Sequence, residues 1–308
     1  MRSGLTTSVY IIVVNWNNWK DTVECVESCR RLAYPEVRLL VVDNGSTDDS
    51  VEKLRRRFPD LELILTGMNL GFAGGNNVGI RYALEHGADY IWLLNNDAIV
   101  DPNALTALVC VAEENELVGM VGSKIPFFEK PHLLWYAGAV LDTEKPYRSG
   151  HRGLGEEDRG QYDVPEQTGY VTGCSLLVRR QVVEEIGLLD EGLFLYFEDS
   201  DWCARARRAG WKLFYAPQSV VLHKVSSSIG GAGSPFMRYY LARNLLYFVA
   251  KNYPGTLFRT VLFDVYANVL VPIKKGKFSS ALWAIRGMRD FFLKRKGMAP
   301  LLRPRSAS

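Results

Sequence analysis

The chain has no long apolar run. Its most apolar late segment, Val261 to Ile273, is about thirteen residues and carries Asp264, where ~20 are needed to cross a bilayer. Cysteine is sparse: Cys25, Cys29, Cys110, Cys174 and Cys203 are an odd set of five without a ligand-like cluster. Cys25 and Cys29 stand four apart, one helical turn, and lack the paired spacing of a zinc site. Reduced thiols, mostly packed in the interior of a cytosolic protein, are the expectation. The N-terminus shows no charged-then-apolar leader, and internal repeats and low-complexity tracts are missing. These absences argue against a disulfide scaffold, a repeat array and a bilayer-spanning protein.

A large excess of either charge is missing too. Thirty-seven Lys/Arg face 34 Asp/Glu, a net charge of +3. The distribution is uneven, however. Residues 274–308 hold ten cations (Lys274, Lys275, Lys277, Arg286, Arg289, Lys294, Arg295, Lys296, Arg303 and Arg305) against Asp290 alone, a local +9 that leaves −6 on residues 1–273. A basic tail on an acidic body points to an anionic partner, membrane lipid first. No nucleic-acid-binding motif accompanies the charge, so no nucleic acid is expected.

What is present is a soluble globular composition, 47% hydrophobic and 23% charged over 308 residues, enough to bury a sizeable core. The first half alternates strand, polar elbow and helix. Ser8–Val14 reads as a buried strand ending in Asn15-Trp16-Asn17, with a helix over 21–32 capped by Asp21. Arg38–Val42 ends in Asp43-Asn44-Gly45-Ser46-Thr47-Asp48 before a helix over 50–58 that Pro59 stops. Leu61–Leu65 is a third strand, and Gly71-Phe72-Ala73-Gly74-Gly75-Asn76-Asn77-Val78-Gly79 leads into a helix reaching about His86. Tyr90–Leu94 is a fourth strand, closing in Asn95-Asn96-Asp97. Such alternation predicts an α/β fold with a doubly wound parallel sheet, whose strand ends emerge on one edge, where ligands bind.

The polar strand ends and the glycines each admit a plainer reading. Asn and Asp close strands as Asx turns, and glycine permits tight helix–sheet packing as well as close approach of a ligand to backbone N–H groups. A dinucleotide fingerprint fits badly, because the glycines follow the third strand and miss the G-x-G-x-x-G spacing.

Taken together, Val13-Val14-Asn15-Trp16-Asn17, Val42–Asp48, Asn69–Gly79 and Leu94–Asp97 resemble the family 2 glycosyltransferases, inverting enzymes of GT-A fold, and among these the rhamnosyltransferase branch. The resemblance covers about residues 8–250. It implies that Val14, Asn15, Asn17 and Asp43 hold a pyrimidine base, Asp43 accepting from its ring N–H. Asn69, Gly74, Asn77 and Asn96 would flank the nucleoside. Asp97 would be the metal-binding acid of a DxD motif in which Asn95 replaces the first acid, for a divalent cation (Mg2+ or Mn2+).

Helix over 102–116 and strand over 118–124 follow, then a polar, weakly periodic stretch, residues 127–167, expected to pair in part as short strands near an acceptor. His132 and His151 read there as solvated loop residues. Gly169–Val178 reads as a kinked strand in which Gly173 lies by the sugar site and Cys174 is packing, not a nucleophile. Glu198-Asp199-Ser200-Asp201 after an aromatic run opens a helix, and packed like charges raise at least one pKa. Asp201 is assigned to capping. By the resemblance, Asp199 is the catalytic base, Glu198 has a supporting or acceptor-binding role, and Trp202 lies at the sugar, acceptor or diphosphate. His223, ending a strand, would help the metal or diphosphate. The Ser226–Ser228 and 230–233 loop would order over nucleotide. Arg238, Tyr239, Arg243 and Asn244 match an Arg-Asn element expected at the diphosphate or acceptor.

Phe278, Leu282, Ile285, Met288 and Phe292 recur at helical spacing among cations, a helix that lies on an anionic bilayer or covers the core. The expectation is a GT-A domain over 1–235 with a small antiparallel portion, and a helical basic extension over 236–308. Its partners would be a dTDP-rhamnose or UDP-sugar donor and a glycan or lipid-linked acceptor, met in the cytoplasm, with peripheral membrane contact through the basic C-terminus.

Overall fold

Residues 7–225 and 234–299 are described by the structure, a computed structural model. The glycine–serine loop after Val225, and Arg303 and Arg305 of the basic tail, lie outside the described residues.

The chain opens with β1 (Val9–Asn15), α1 (Trp19–Cys29), β2 (Val37–Asp43), α2 (Ser50–Arg57), β3 (Glu62–Leu65), α3 (Gly71–Glu85) and β4 (Tyr90–Asn95). β1 pairs in parallel with β2 and β4, and β2 with β3. Buried β-branched and aromatic residues on both faces of β1 and β4 make this the inner part of a doubly covered sheet. After β5 (Ala98–Val100) and α4 (Ala104–Glu113) come β6 (Val118–Pro126) and the short strands β7 (Leu134–Tyr136), β8 (Ala139–Val140), β9 (Gly150–His151) and β10 (Glu166–Gln167). The polar stretch thus pairs in part. β11 (Ser175–Arg179) then enters antiparallel between β4 and β6. α5 (Arg180–Ile186), α6 (Glu198–Arg208) and β12 (Lys212–His223) complete the body. Along the main path the strand order is β10-β12-β6-β11-β4-β1-β2-β3: a mostly parallel sheet with an antiparallel portion, the α/β architecture expected.

Local corrections are instructive. Asp21 sits in the first turn of α1, accepting from Asn18, which holds the cap position. The strand begins at Ser175 rather than 169, because the backbone of residues 171–174 is used elsewhere: Val171 N–H meets the Cys203 sulfur and Gly173 N–H meets Asp199. Four of the five cysteines are buried and Cys110 is exposed.

The C-terminal part is α7 (Pro235–Asn252), α8 (Leu257–Asp264), α9 (Val271–Lys274) and α10 (Phe278–Phe292). A π-helical turn, Val265–Leu270, joins α8 to α9 without a break. The helical run Pro254–Lys274 is therefore 21 residues and holds an 18-residue window of mean hydropathy 1.4, long and apolar enough to cross a membrane by length and composition. The thirteen-residue reading underestimated it, because Pro254 and Pro272 sit at first-turn positions and interrupt nothing.

Candidate active site

The parallel register puts Asn15 beside Asp43, and Val14 beside Asn95. Asn15 Nδ2 donates to Asp43 at 2.8 Å, and Ser46 caps the same carboxylate through its N–H (3.0 Å) and hydroxyl (2.6 Å). Thr22 of α1 donates to Asn15 Oδ1 at 2.7 Å and accepts from Asn96 at 3.0 Å. Asn17 uses its carbonyl to hold the Thr47 N–H. The carboxylate of Asp43 is thus fixed in one orientation at the sheet edge, which suits recognition of a planar ring edge.

Two strands bring the second group together. β5 follows β4 after a two-residue turn and pairs antiparallel with the end of β12, setting His223 opposite Ala98. His223 Nε2 lies 3.2 Å from Asp97 Oδ1, and both residues are buried. Burial opposes charge on His223, but Cys174 and Asp97 beside it outweigh burial and raise its pKa. Burial pushes the Cys174 thiol up while the neighbouring His223 pulls it down, and burial prevails. An oxygen and an imidazole nitrogen converge here. Among the described residues no group of three or more His, Cys, Asp or Glu side chains is arranged so that it could hold a metal ion.

The third group is the start of α6. Phe194, Tyr196 and Phe197 all have positive φ (67°, 67° and 71°), a strained approach typical of functional loops. Two features hold it. Asn244 Nδ2 of α7 lies 2.7, 2.7 and 2.9 Å from the carbonyls of Leu193, Leu195 and Tyr196. Gly71, left-handed at φ +75°, opens α3 where a Cβ would stand 2.4 Å from the Phe194 carbonyl. The loop delivers Glu198 and Asp199 into the interior. Burial, then the Asp199 charge, raises Glu198 well above the carboxylate range, and its Oε2 has no partner. Burial also raises Asp199, but Gly173 N–H (2.9 Å), Ser200 N–H (2.6 Å) and the Ser200 hydroxyl (3.1 Å) all donate to it. When one of the pair ionises, it is the hydrogen-bonded Asp199.

Two residues link the second and third groups. Gly173 holds Asp199, and the next residue, Cys174, adjoins His223 and accepts from Asn95 N–H at 3.0 Å. Asp97 and Asp199 therefore serve the same edge of the sheet. Asp199 also lines a cleft of about 260 Å3 walled by Tyr147, His151, Tyr170, Tyr196, Phe197 and Phe248.

Other expectations change. Gly74 and Gly75 are not loop residues: α3 starts at Gly71, Gly75 and Gly79 let it sit on β1 (a Cβ would fall 2.9 Å from Val14 and 2.5 Å from Ile12), and a Cβ at Gly74 would meet Leu70 at 2.6 Å. Asn77 clasps the Leu189 backbone from both sides (2.9 and 3.1 Å) instead of flanking a nucleoside. Asn69 turns its carbonyl to Gly71 N–H. Trp202 is a core residue, its indole N–H on the Gly187 carbonyl. Arg243 is fully buried and spends its guanidinium on the carbonyls of Leu193 and Gly297 and on Asn244, which leaves nothing for a diphosphate. Arg238 reaches Asn268 in the C-terminal helices. Asp201 caps nothing, since it is buried among Arg205, Lys251 and Asn252. His132 is exposed, but His151 packs edge-on to Trp135 and Tyr136, and burial lowers its pKa to about 4. Sequence reasoning missed Thr22, Ser46 and the cleft aromatics, and gave Asn244 the wrong task. For Ser46 the available signal was its place three residues past Asp43 in the same polar elbow.

Residues 10–187 match the family model described as Glycosyl transferase family 2. The dTDP-rhamnosyl transferase RfbF of Shigella flexneri is 26% identical over 283 residues, 89% of this chain and 91% of that protein. The N-acetylglucosaminyl-diphospho-decaprenol L-rhamnosyltransferase of Mycobacterium tuberculosis is 30% identical over 212 residues, 63% and 68% of the two chains. Among solved structures, a mannosyltransferase from Pyrobaculum calidifontis in complex with GDP-Man and Mn2+ superposes with a TM-score of 0.59 at 16% identity, covering 94% of this chain and 88% of that one. GalNAc-T7 with UDP, GalNAc and Mn2+ gives 0.61 at 16% identity over 94% and 56%. At these identities the two structures show the fold alone.

Proposed function

The chain belongs to glycosyl transferase family 2, and from that premise we propose that it transfers L-rhamnose from dTDP-L-rhamnose to a hydroxyl of a cell-surface glycan or lipid-linked glycan, with inversion. The observation that carries this reading is the placement of Asp199. Its carboxylate is oriented by three donors, sits one residue from the Asp97–His223 pair through Gly173 and Cys174, and faces an aromatic cleft.

The fixed Asp43 carboxylate accepts from the ring N–H of the pyrimidine, with Asn15 and Ser46 holding it in place. Asp97 and His223, 3.2 Å apart, are the residues that would hold a divalent cation beside the donor's diphosphate, an oxygen and a nitrogen donor being few ligands for such an ion. A cation bound there would neutralise charge on the departing diphosphate. Asp199 removes the proton of the acceptor hydroxyl as that oxygen attacks the anomeric carbon. Burial and the Asp199 charge raise Glu198, so Asp199, held by three donors, is the member of the pair that ionises first. The cleft receives the acceptor: flat aromatic walls suit sugar rings and apolar chains alike. A lipid-linked acceptor accords with the decaprenol named for the mycobacterial relative.

The test is turnover of a donor panel (dTDP-rhamnose and several UDP-hexoses, each with Mn2+) by wild type and Asp199→Asn, read as nucleoside diphosphate release and product mass. Rhamnose transfer that falls at least ~100-fold in Asp199→Asn, with dTDP binding retained, supports the proposal. Preference for a UDP-hexose overturns the donor; binding without any turnover makes the chain a nucleotide-sugar-binding protein.

A further inference from the structure

The C-terminal helices leave a face uncovered. Phe258, Leu262, Tyr266, Leu270 and Ile273 are 42–74% exposed and follow one another at four, four, four and three residues, a single stripe along α8, the π turn and α9. Phe278, Leu282 and Ile285 form a second exposed stripe on α10. Ten of the seventeen large exposed hydrophobic side chains among the described residues fall between Phe258 and Leu293. They are a surface feature of this segment, not of the protein at large.

The two stripes face the same way. Leu257, Val261, Val265 and Val269 pack inward against Ala281, Ala284 and Met288. Each exposed stripe lies one residue past its inward row: 258, 262, 266 and 270 on one helix, 282 and 285 on the other. The three-residue link 275–277 turns the chain back, and in an antiparallel pair the same angular step carries both stripes to one side.

Charge identifies what lies against this side. From Pro254 to Ala299 the chain has nine Lys/Arg and two acids, Asp264 and Asp290, and both acids are buried. The exposed surface of this segment is therefore apolar stripes among cations with no exposed carboxylate. A second copy would oppose like charge to like. The inward row and buried Asp264 commit the helix to the body of the protein, so it lies along a surface and does not span one.

We propose that this face is a docking surface for an anionic lipid bilayer, the stripes entering the acyl boundary and Arg259, Lys274, Lys275, Lys277 and Arg286 meeting the lipid phosphates. Tyr147 of the aromatic cleft stacks on Phe263 of α8 at 4.3 Å, so docking holds the cleft close to the bilayer. The docking itself stands independently of the transferase reading.

The full-length chain is sedimented with vesicles of phosphatidylcholine, with and without phosphatidylglycerol, at low and high salt. The expected result is binding to the mixed vesicles only, weakened by salt. Phe258→Glu/Leu262→Glu lowers the partition coefficient at least ~10-fold. Lys274→Glu/Lys275→Glu/Lys277→Glu does the same by charge. Near-ultraviolet circular dichroism and turnover of a water-soluble acceptor stay as in wild type. No binding to mixed vesicles, or equal binding by wild type and both variants, overturns the proposal. So does a wild-type dimer that these variants turn into monomers while vesicles bind neither. Vesicle binding by a chain that turns over no donor would leave the docking surface standing and remove the catalytic reading.

Discussion

Asn244→Ala removes the brace of the loop that carries Asp199. Leu193 O keeps two other donors, Arg243 Nη2 and the Leu195 N–H. The Leu195 and Tyr196 carbonyls lose the Asn244 amide, each bond 2.7–2.9 Å in a partly buried setting. An orphaned carbonyl in such a place costs ~1 kcal/mol, at the low end of the range for buried groups, so about 2 kcal/mol is withdrawn from a segment that also stores strain at three left-handed residues. The equilibrium between braced and relaxed loop shifts ~30-fold, so the fraction of enzyme with Asp199 against Gly173 N–H falls and kcat drops by up to ~30-fold. The Asp43 end of the site is untouched, so affinity for the donor nucleotide stays within ~2-fold. Asn244→Asp, which brings acceptors to acceptors, is worse. The assay is steady-state nucleoside diphosphate release, with nucleotide Kd from calorimetry and Tm from thermal unfolding. A variant whose Tm falls while kcat is unchanged refutes the reasoning, because the brace would then be structural only.

Three further outcomes follow from the geometry. Glu198 has a folded pKa above its unfolded value, so between the two values the folded state carries the extra proton and stability falls as pH rises. Glu198→Gln therefore raises Tm, more at about pH 8 than at about pH 5, measurable by calorimetry; a gain independent of pH contradicts it. Asp43→Asn weakens dTDP binding ~10–100-fold by losing an acceptor for the ring N–H, and equal weakening of a purine nucleotide would deny base recognition. Asp97→Ala and His223→Ala remove the Mn2+-dependent part of nucleotide diphosphate affinity but leave thymidine binding as it was, and parallel titrations read both.

Much of the site was legible because the physics behind it is local. A buried apolar run ending in amides or an acid is a strand end at a sheet edge, so Asn15, Asp43 and Asp97 could be placed from sequence. Glu198-Asp199 stood out as packed like charges at a helix start. What escaped depends on tertiary register. Asn77, Trp202 and Arg243 carry the right residue types near the right motifs, and only their partners (Leu189, Gly187, and Leu193 with Gly297) show that they hold the scaffold together. The positive φ at Phe194, Tyr196 and Phe197 has no sequence signature at aromatic residues, so neither the strained loop nor the Asn244 brace could be read. The π turn that joins two short apolar pieces into one helix hid the exposed stripe in the same way.

The central claim is that residues from Asn15 to Asp199 enclose one donor site. Anomalous diffraction from a crystal soaked with Mn2+ and dTDP tests it most directly. A shared donor site gives a single strong manganese peak beside Asp97 and His223, with the thymine ring against Asp43; a peak remote from that pair, or a base seated away from Asp43, rules it out.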